Sequence, residues 1–170
     1  MALNGSITVA TNIRYTPATL PDLSSPADRL ARTLATTLAD GSGAGQANRL
    51  WHDQRIVNAS TNDDLDLAGG SLVDVFGQAL TFARIKAMVF QHKAGANVLT
   101  IGNGGTNAFN TPFNGVDAGA VTLRPTGIIA MVAPDATGYV VTAGTGDILR
   151  VANGAGSSVT FDVYLIGATA

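Results

Sequence analysis

Two histidines, His52 and His92, are the chain's only side chains whose ordinary titration falls near neutral pH. Acid or base chemistry there would need one of them, or a carboxyl group with a shifted pKa. Asp53 follows His52 and could orient an imidazole, but neighbours in an extended segment point to opposite faces. No serine lies in a Gly-x-Ser-x-Gly elbow. Asp63, Asp64 and Asp66 form the densest acidic cluster, and Asp64 and Asp66 would share one face of a strand. Carboxylate oxygens of this kind hold Ca²⁺, but the EF-hand spacing is absent, and acids ahead of a strand also read as a solvated edge. Gly102-Asn103-Gly104-Gly105 follows the strand-like Asn97–Ile101 and has the look of a phosphate-binding turn. The helix that such a turn must open does not follow. Two distant Asp could make a glycosidase pair, yet the chain has no Glu and Trp51 is its single Trp, which leaves few sugar platforms. We therefore assign no catalytic residue, no cofactor and no metal site, and expect a non-enzyme.

Composition narrows the class further. The chain has 170 residues, enough for one domain with a sizeable core. Charged residues make up 13%, and only Lys86 and Lys93 are lysines. Glu and Lys dress exposed helix faces, so their scarcity argues for a β protein. It also implies that apolar surface is covered by further copies or by a partner. A net charge of −2 with no basic run lacks the footprint of a nucleic-acid binder. No apolar run is long enough to span a bilayer as a helix, so no membrane partner is expected. The N-terminus lacks a basic start followed by an apolar block, so no secretory leader is expected. The absence of cysteine rules out disulfides and thiolate metal sites, and fits a reducing site of synthesis.

The elements that would carry these residues are mostly strands. Residues 3–13 alternate, with Leu3, Ile7, Val9 and Ile13 on one face and polar residues on the other. A Pro-punctuated connector follows, so residues 1–25 read as an arm, either an edge strand of its own sheet or a segment reaching a neighbour. Ser25, Pro26 and Asp28 form a helix start signal, and Leu30, Leu34 and Leu38 recur every fourth residue. This predicts one short helix over about 26–39. From residue 49 on, strands are expected at 49–58, 63–67, 79–91, 97–102, 119–124, 128–133, 138–142, 147–152 and 158–167, with Gly, Asn, Asp and Pro in the breaks. Evenly spaced short strands without βα alternation predict an antiparallel β-sandwich, jelly-roll-like, over residues 26–170.

The stretch Leu65–Phe90 stands at the centre of this reading. Its long strand is apolar on both faces, as expected when a strand is covered from both sides. Ile85, Ala87 and Val89 are assigned to the subunit's own core. Phe82, Arg84, Lys86 and Met88 are assigned to an interface with another copy, where Arg is enriched around an apolar centre. The alternative for Arg84 and Lys86 is that their stems cover apolar surface while the heads reach water or an Asp.

Several motifs together resemble a known group. They are DGSGAGQANRLWHDQRIVNAS (40–60), DLDLAGGSLVDVFGQALTFARIKAMVF (64–90), VTAGTGDILRVAN (141–153) and VTFDVYLIGA (159–168). Over roughly three quarters of the chain they resemble small virion proteins of tailed bacteriophages, closest to capsid cement (decoration) proteins with a jelly-roll-like body. The resemblance implies a structural protein of the virion, made in the host cytoplasm and placed on the capsid surface. It implies a homotrimer that bridges capsomers, with the major capsid protein as partner. Leu3, Ile7, Val9 and Tyr15 are then the expected shell contacts. The alternative is a tail, baseplate or head-fibre module that binds a host glycan, for which Phe109 and Phe113 in the loop 103–118 are the available platform.

Overall fold

The computed structural model describes residues 2–16 and 27–169. The described residues fold into fourteen strands and two short 3-10 turns, Gly105–Asn107 and Thr111–Phe113. In order the strands are β1 (Gly5–Tyr15), β2 (Asp28–Asp40), β3 (Gln46–Ala47), β4 (Arg49–Val57), β5 (Asn62–Asp66), β6 (Leu72–Val73) and β7 (Ala79–Leu80). There follow β8 (Arg84–Ala94), β9 (Leu99–Gly102), β10 (Ala120–Leu123), β11 (Ile128–Val132), β12 (Tyr139–Val140), β13 (Ile148–Asn153) and β14 (Val159–Ala168).

Eight of them make a two-sheet body. One sheet runs β11-β8-β14-β4, with β12 added beside β8, and the other runs β10-β9-β13-β5. Every pairing within these sheets is antiparallel. Counted along the chain, the first of the eight pairs the last, the second the seventh, the third the sixth and the fourth the fifth. This is a long antiparallel ribbon rolled up on itself, the jelly-roll order. The expected β-sandwich is therefore the observed architecture.

Alternation along each strand fills the space between the sheets. Val159, Phe161, Val163 and Leu165 of β14 point inward and are fully buried, facing Leu99, Ile101, Leu149 and Val151 of the other sheet. Phe90 and Phe161 meet within this layer, with ring centroids 6.4 Å apart. Two glycines permit close approaches that a side chain would block. A Cβ at Gly102, where φ is +111°, would lie 2.4 Å from the Gly119 carbonyl oxygen, and one at Gly104 would lie 2.7 Å from that of Ile148. Of the glycines that suggested a phosphate turn, Gly102 and Gly104 are thus packing residues, while Gly105 supplies a positive φ of +76° with open space around it.

The expected helix over 26–39 is not formed. Residues 28–40 are the strand β2, paired with β1 from Gly5↔Leu38 to Tyr15↔Asp28. The reason lies in the spacing. Leucines four apart share a face of a helix, but four is also a multiple of two, so they share a face of a strand as well. Thr33, Thr36 and Thr37, stiff at χ1, favour the strand. Ser25 and Pro26, two of the three residues of the helix start signal, lie outside the described residues, as does most of the connector.

Truncating the inward aromatic of β14 tests the core directly. Phe161→Ala is expected to lower the unfolding free energy by about 3–5 kcal/mol in urea titrations. A loss below about 1 kcal/mol would contradict the packing described.

Candidate functional site

No catalytic constellation forms from the candidate residues. His52 lies on the exposed outer side of β4 against Tyr164, ring centroids 6.4 Å apart. His92 is buried on β8, and its Nε2 lies 2.9 Å from the carbonyl oxygen of Asn97. The two histidines belong to opposite faces of one sheet.

The acidic cluster is occupied by arginines and a turn. Arg55 of β4 donates from Nε and Nη2 to the two oxygens of Asp63, at 2.7 and 2.6 Å. This planar fork clasps the edges of the two sheets together. It holds the guanidinium pKa above its ordinary value, mainly through the hydrogen bonds to Asp63. Arg150 makes the same fork to Asp64, at 2.7 Å for both contacts. Asp66 accepts the amides of Ala68 and Gly69 and closes the turn after β5. Among the described residues no three of His, Cys, Asp or Glu converge as metal ligands.

The assignment of faces on β8 needs correction. Both of the chain's lysines sit at bulges where β8 has one residue more than β14. Ile166 pairs Ala87 but Gly167 pairs Ile85, leaving Lys86 unpaired, and Lys93 is passed over in the same way between Thr160 and Phe161. An extra residue flips the face of everything beyond it. Ile85 therefore faces the core as expected, but beyond the bulge Met88 and Phe90 face inward, while Ala87, buried as expected, and half-buried Val89 lie on the other side of the sheet. Phe82 joins the core from the segment before β8. Phe82 and Met88 are thus unavailable as interface residues.

Lys86 is unavailable for a different reason. The side chain is sealed under the loop that follows β11, and its Nζ donates to the carbonyls of Asp135 and Ala136. Burial pushes its pKa below the ordinary lysine value; nearby Arg84 adds to this and Asp135 opposes it. Arg84 is half-buried and donates to the same loop at the Ala136 carbonyl, 2.6 Å away. These two cations hold a loop of their own chain.

The glycan platform also dissolves. Phe109 is buried in the core, and Phe113 packs half-exposed against it.

The residues marked as shell contacts do come together. Leu3 stands at the root of the β1–β2 hairpin, and Ile7, Val9 and Tyr15 line one of its faces. That face continues through Ile13 and, from β2, through Leu30 and Leu34. Val9 is 47% exposed, Ile13 55%, Tyr15 73% and Leu34 71%. Among the described residues the hairpin is anchored only at its root: Leu38 is buried, Leu3 N–H donates to Asp40 Oδ1, and Ala39 N–H donates to the Gly45 carbonyl. Beyond Leu38 every described side chain of the hairpin is exposed or half-exposed. It is an arm with one bare apolar face.

Comparisons with family models, curated proteins and solved structures return no match to this chain. The molecule's own surfaces must therefore carry the reading.

A second bare surface lies at the arm's root. A groove of about 700 Å³ runs between residues 2–4, β4 and the small β6–β7 hairpin. Leu50, Val73, Val75 and Phe76 expose apolar atoms along it. Asp74 shapes the turn by accepting the amides of Phe76 and Gln78 at 2.9 Å each, which presents Val75 and Phe76 outward. Sequence reasoning missed this small hairpin. The signal was Val73-Asp74-Val75-Phe76-Gly77, a turn whose tip is apolar where polar residues are usual.

The sealed lysine makes a pH prediction. A native pKa below the unfolded value means the native state binds fewer protons between the two, so stability rises with pH across that window. Urea midpoints measured from pH 7 to 10.5 are expected to rise more for the wild type than for Lys86→Met. Parallel profiles would contradict the burial of a charged amine.

Proposed function

We propose that this protein is a structural component of a tailed-bacteriophage virion, a cement protein that stabilises the mature head as a homotrimer bridging capsomers. The observation that supports this most is the arm. A long two-stranded ribbon with a bare apolar face is costly to leave in water, and beyond Leu38 it buries no side chain among the described residues of its own chain. Such a surface belongs to an assembled partner. The carboxylates and histidines that could do chemistry are instead engaged in the turns, forks and packing of a rigid jelly roll. The motifs spread over residues 40–168 that resemble virion cement proteins point the same way.

The mechanism is mass action. A ligand that binds the assembled shell and not its free parts shifts the equilibrium toward the shell. Repetition over many equivalent sites makes modest affinity at each one sufficient. The outer face of the larger sheet offers a further contact surface. Leu50, Ile166 and Val132 lie in one row, which crosses the buried Ala87, and His52, Tyr164, Val89 and Ala130 lie in register across four strands in the next. The glycan-binding alternative has lost its platform with the burial of Phe109.

Cryo-electron microscopy of virions in which mass spectrometry identifies this chain tests the proposal. Density on the head surface at threefold positions is the expected result, and density confined to the tail would overturn it.

A further inference from the structure

We propose that Lys86 is the positioning residue of the arm: by holding the loop after β11 it fixes the direction in which the β1–β2 hairpin leaves the body. The use made of the arm rests on the reading above, and Lys86 is what aims it. Among the described residues, two backbone-to-backbone hydrogen bonds tie the root segment 41–48 to the rest of the body, and both end beside Lys86.

The first runs through the loop. Ala39, near the end of β2, donates its N–H to the Gly45 carbonyl at 2.9 Å, and Gly45 N–H donates to the Pro134 carbonyl at 2.6 Å. Pro134 is bracketed by Lys86. The residue before it, Ala133, donates its N–H to the Lys86 backbone carbonyl at 2.8 Å. The two residues after it, Asp135 and Ala136, offer their carbonyls to Lys86 Nζ. The carbonyl that receives the arm's root is thus held on both sides by one residue.

The second runs through the sheet. Gly167 of β14 pairs Ile85 at the bulge that passes over Lys86, and its carbonyl accepts the Asn48 N–H at 3.0 Å. A side chain at Gly167 would collide with the Arg84 carbonyl and the Phe82 ring, so its place is set by the bulge. Asn48 follows β3, which pairs β2 at Ala39↔Gln46 and Asp40↔Ala47. Leu38 and Ala47 are buried at this joint.

An apolar side chain of the same length would fill the space under the loop but could not donate to it. The carbonyls of 135 and 136 would then be sealed without partners or would turn out to water, and Pro134 would move with them. Arg84 reaches only Ala136, from a half-exposed position, and does not bracket Pro134. Coupling along a contiguous hydrogen-bonded path of this kind carries a local change to the arm. An arm whose direction is fixed beforehand loses less freedom when its apolar face meets a partner.

Hydrogen exchange and a spin-label distance, both on the free full-length chain, test this. Lys86→Met keeps the stem and loses the donors. Its Gly45 amide is expected to exchange about 10-fold faster or more, the effect of losing charge-assisted bonds along the path. Amides of the other sheet, such as Ile101 and Val151, should keep their protection. The chain has no cysteine, so Thr37→Cys with Thr122→Cys places one label at the arm's root and one on β10. That distance distribution should broaden in Lys86→Met. Asp135→Ala loosens the same loop from outside, since Asp135 Oδ1 accepts the Thr137 and Gly138 amides, and is expected to act in the same direction. A folded variant of either kind with wild-type Gly45 exchange and wild-type distances would overturn the proposal. So would an equal loss of protection across both sheets, which would make Lys86 a stability residue alone. The two proposals fail separately. An arm unmoved by Lys86→Met in a chain found on virion heads refutes the positioning role and leaves the cement reading standing, whereas a loosened arm in a chain confined to the tail does the reverse.

Discussion

The unpaired residue at Lys86 fixes which side of β8 every later side chain takes. Strand β8 is the centre of the larger sheet, between β14 and β11, and both of its faces are covered or apolar. A one-residue shift there exchanges the core set for the outer set. With the bulge in place, Met88 and Phe90 meet Leu165 and Val163 on the inner face. Without it, the inner face would receive Ala87 and Val89, too small to fill the same layer, and a cavity would result. The lysine at the bulge is sealed by its hydrogen bonds to the 135–136 carbonyls, which ties the loop after β11 down over it. A bulge, a buried amine and a loop are therefore one device.

Two edges of the body are managed differently. Where β4 and β5 border the open side of the sandwich, Arg55 forks across to Asp63 and closes the rim electrostatically. At the root of the arm the rim stays open, and the groove with Val73, Val75 and Phe76 lies there. Soluble domains rarely leave adjacent apolar surfaces uncovered. The arm and the groove together leave a considerable apolar area bare on a chain with only 13% charged residues. That combination is coherent for a protein whose folded unit is an assembly.

Much of the body was legible in the sequence, because period-two alternation broken by Gly, Asn and Pro reports strands directly. The strand at 158–167 and the breaks around it needed no tertiary information. Three features were not legible, each for a physical reason. Leucines spaced by four satisfy helix and strand periods alike, so β2 read as a helix. A bulge leaves no periodic trace; a lysine inside an apolar run was its one sign, and Lys86 read equally well as an interface residue. Phe109 sits in a loop rich in Asn and Gly, where local composition says exposed, but the loop folds inward and buries it. The arm's apolar face was half visible, since Leu3, Ile7 and Val9 alternate, and the strand that completes the face with Leu30 and Leu34 was hidden by the helix reading.

The central claim is that the arm gains its order from another molecule. Hydrogen exchange on residues 5–15 and 28–40, compared between dilute and concentrated protein, measures this most directly. Backbone amides of the arm should exchange fast in dilute solution and become protected as association proceeds, while the amides of β8 and β14 stay protected throughout. Protection of the arm that is equally strong at every concentration would mean its own chain suffices to hold it, and would contradict the account.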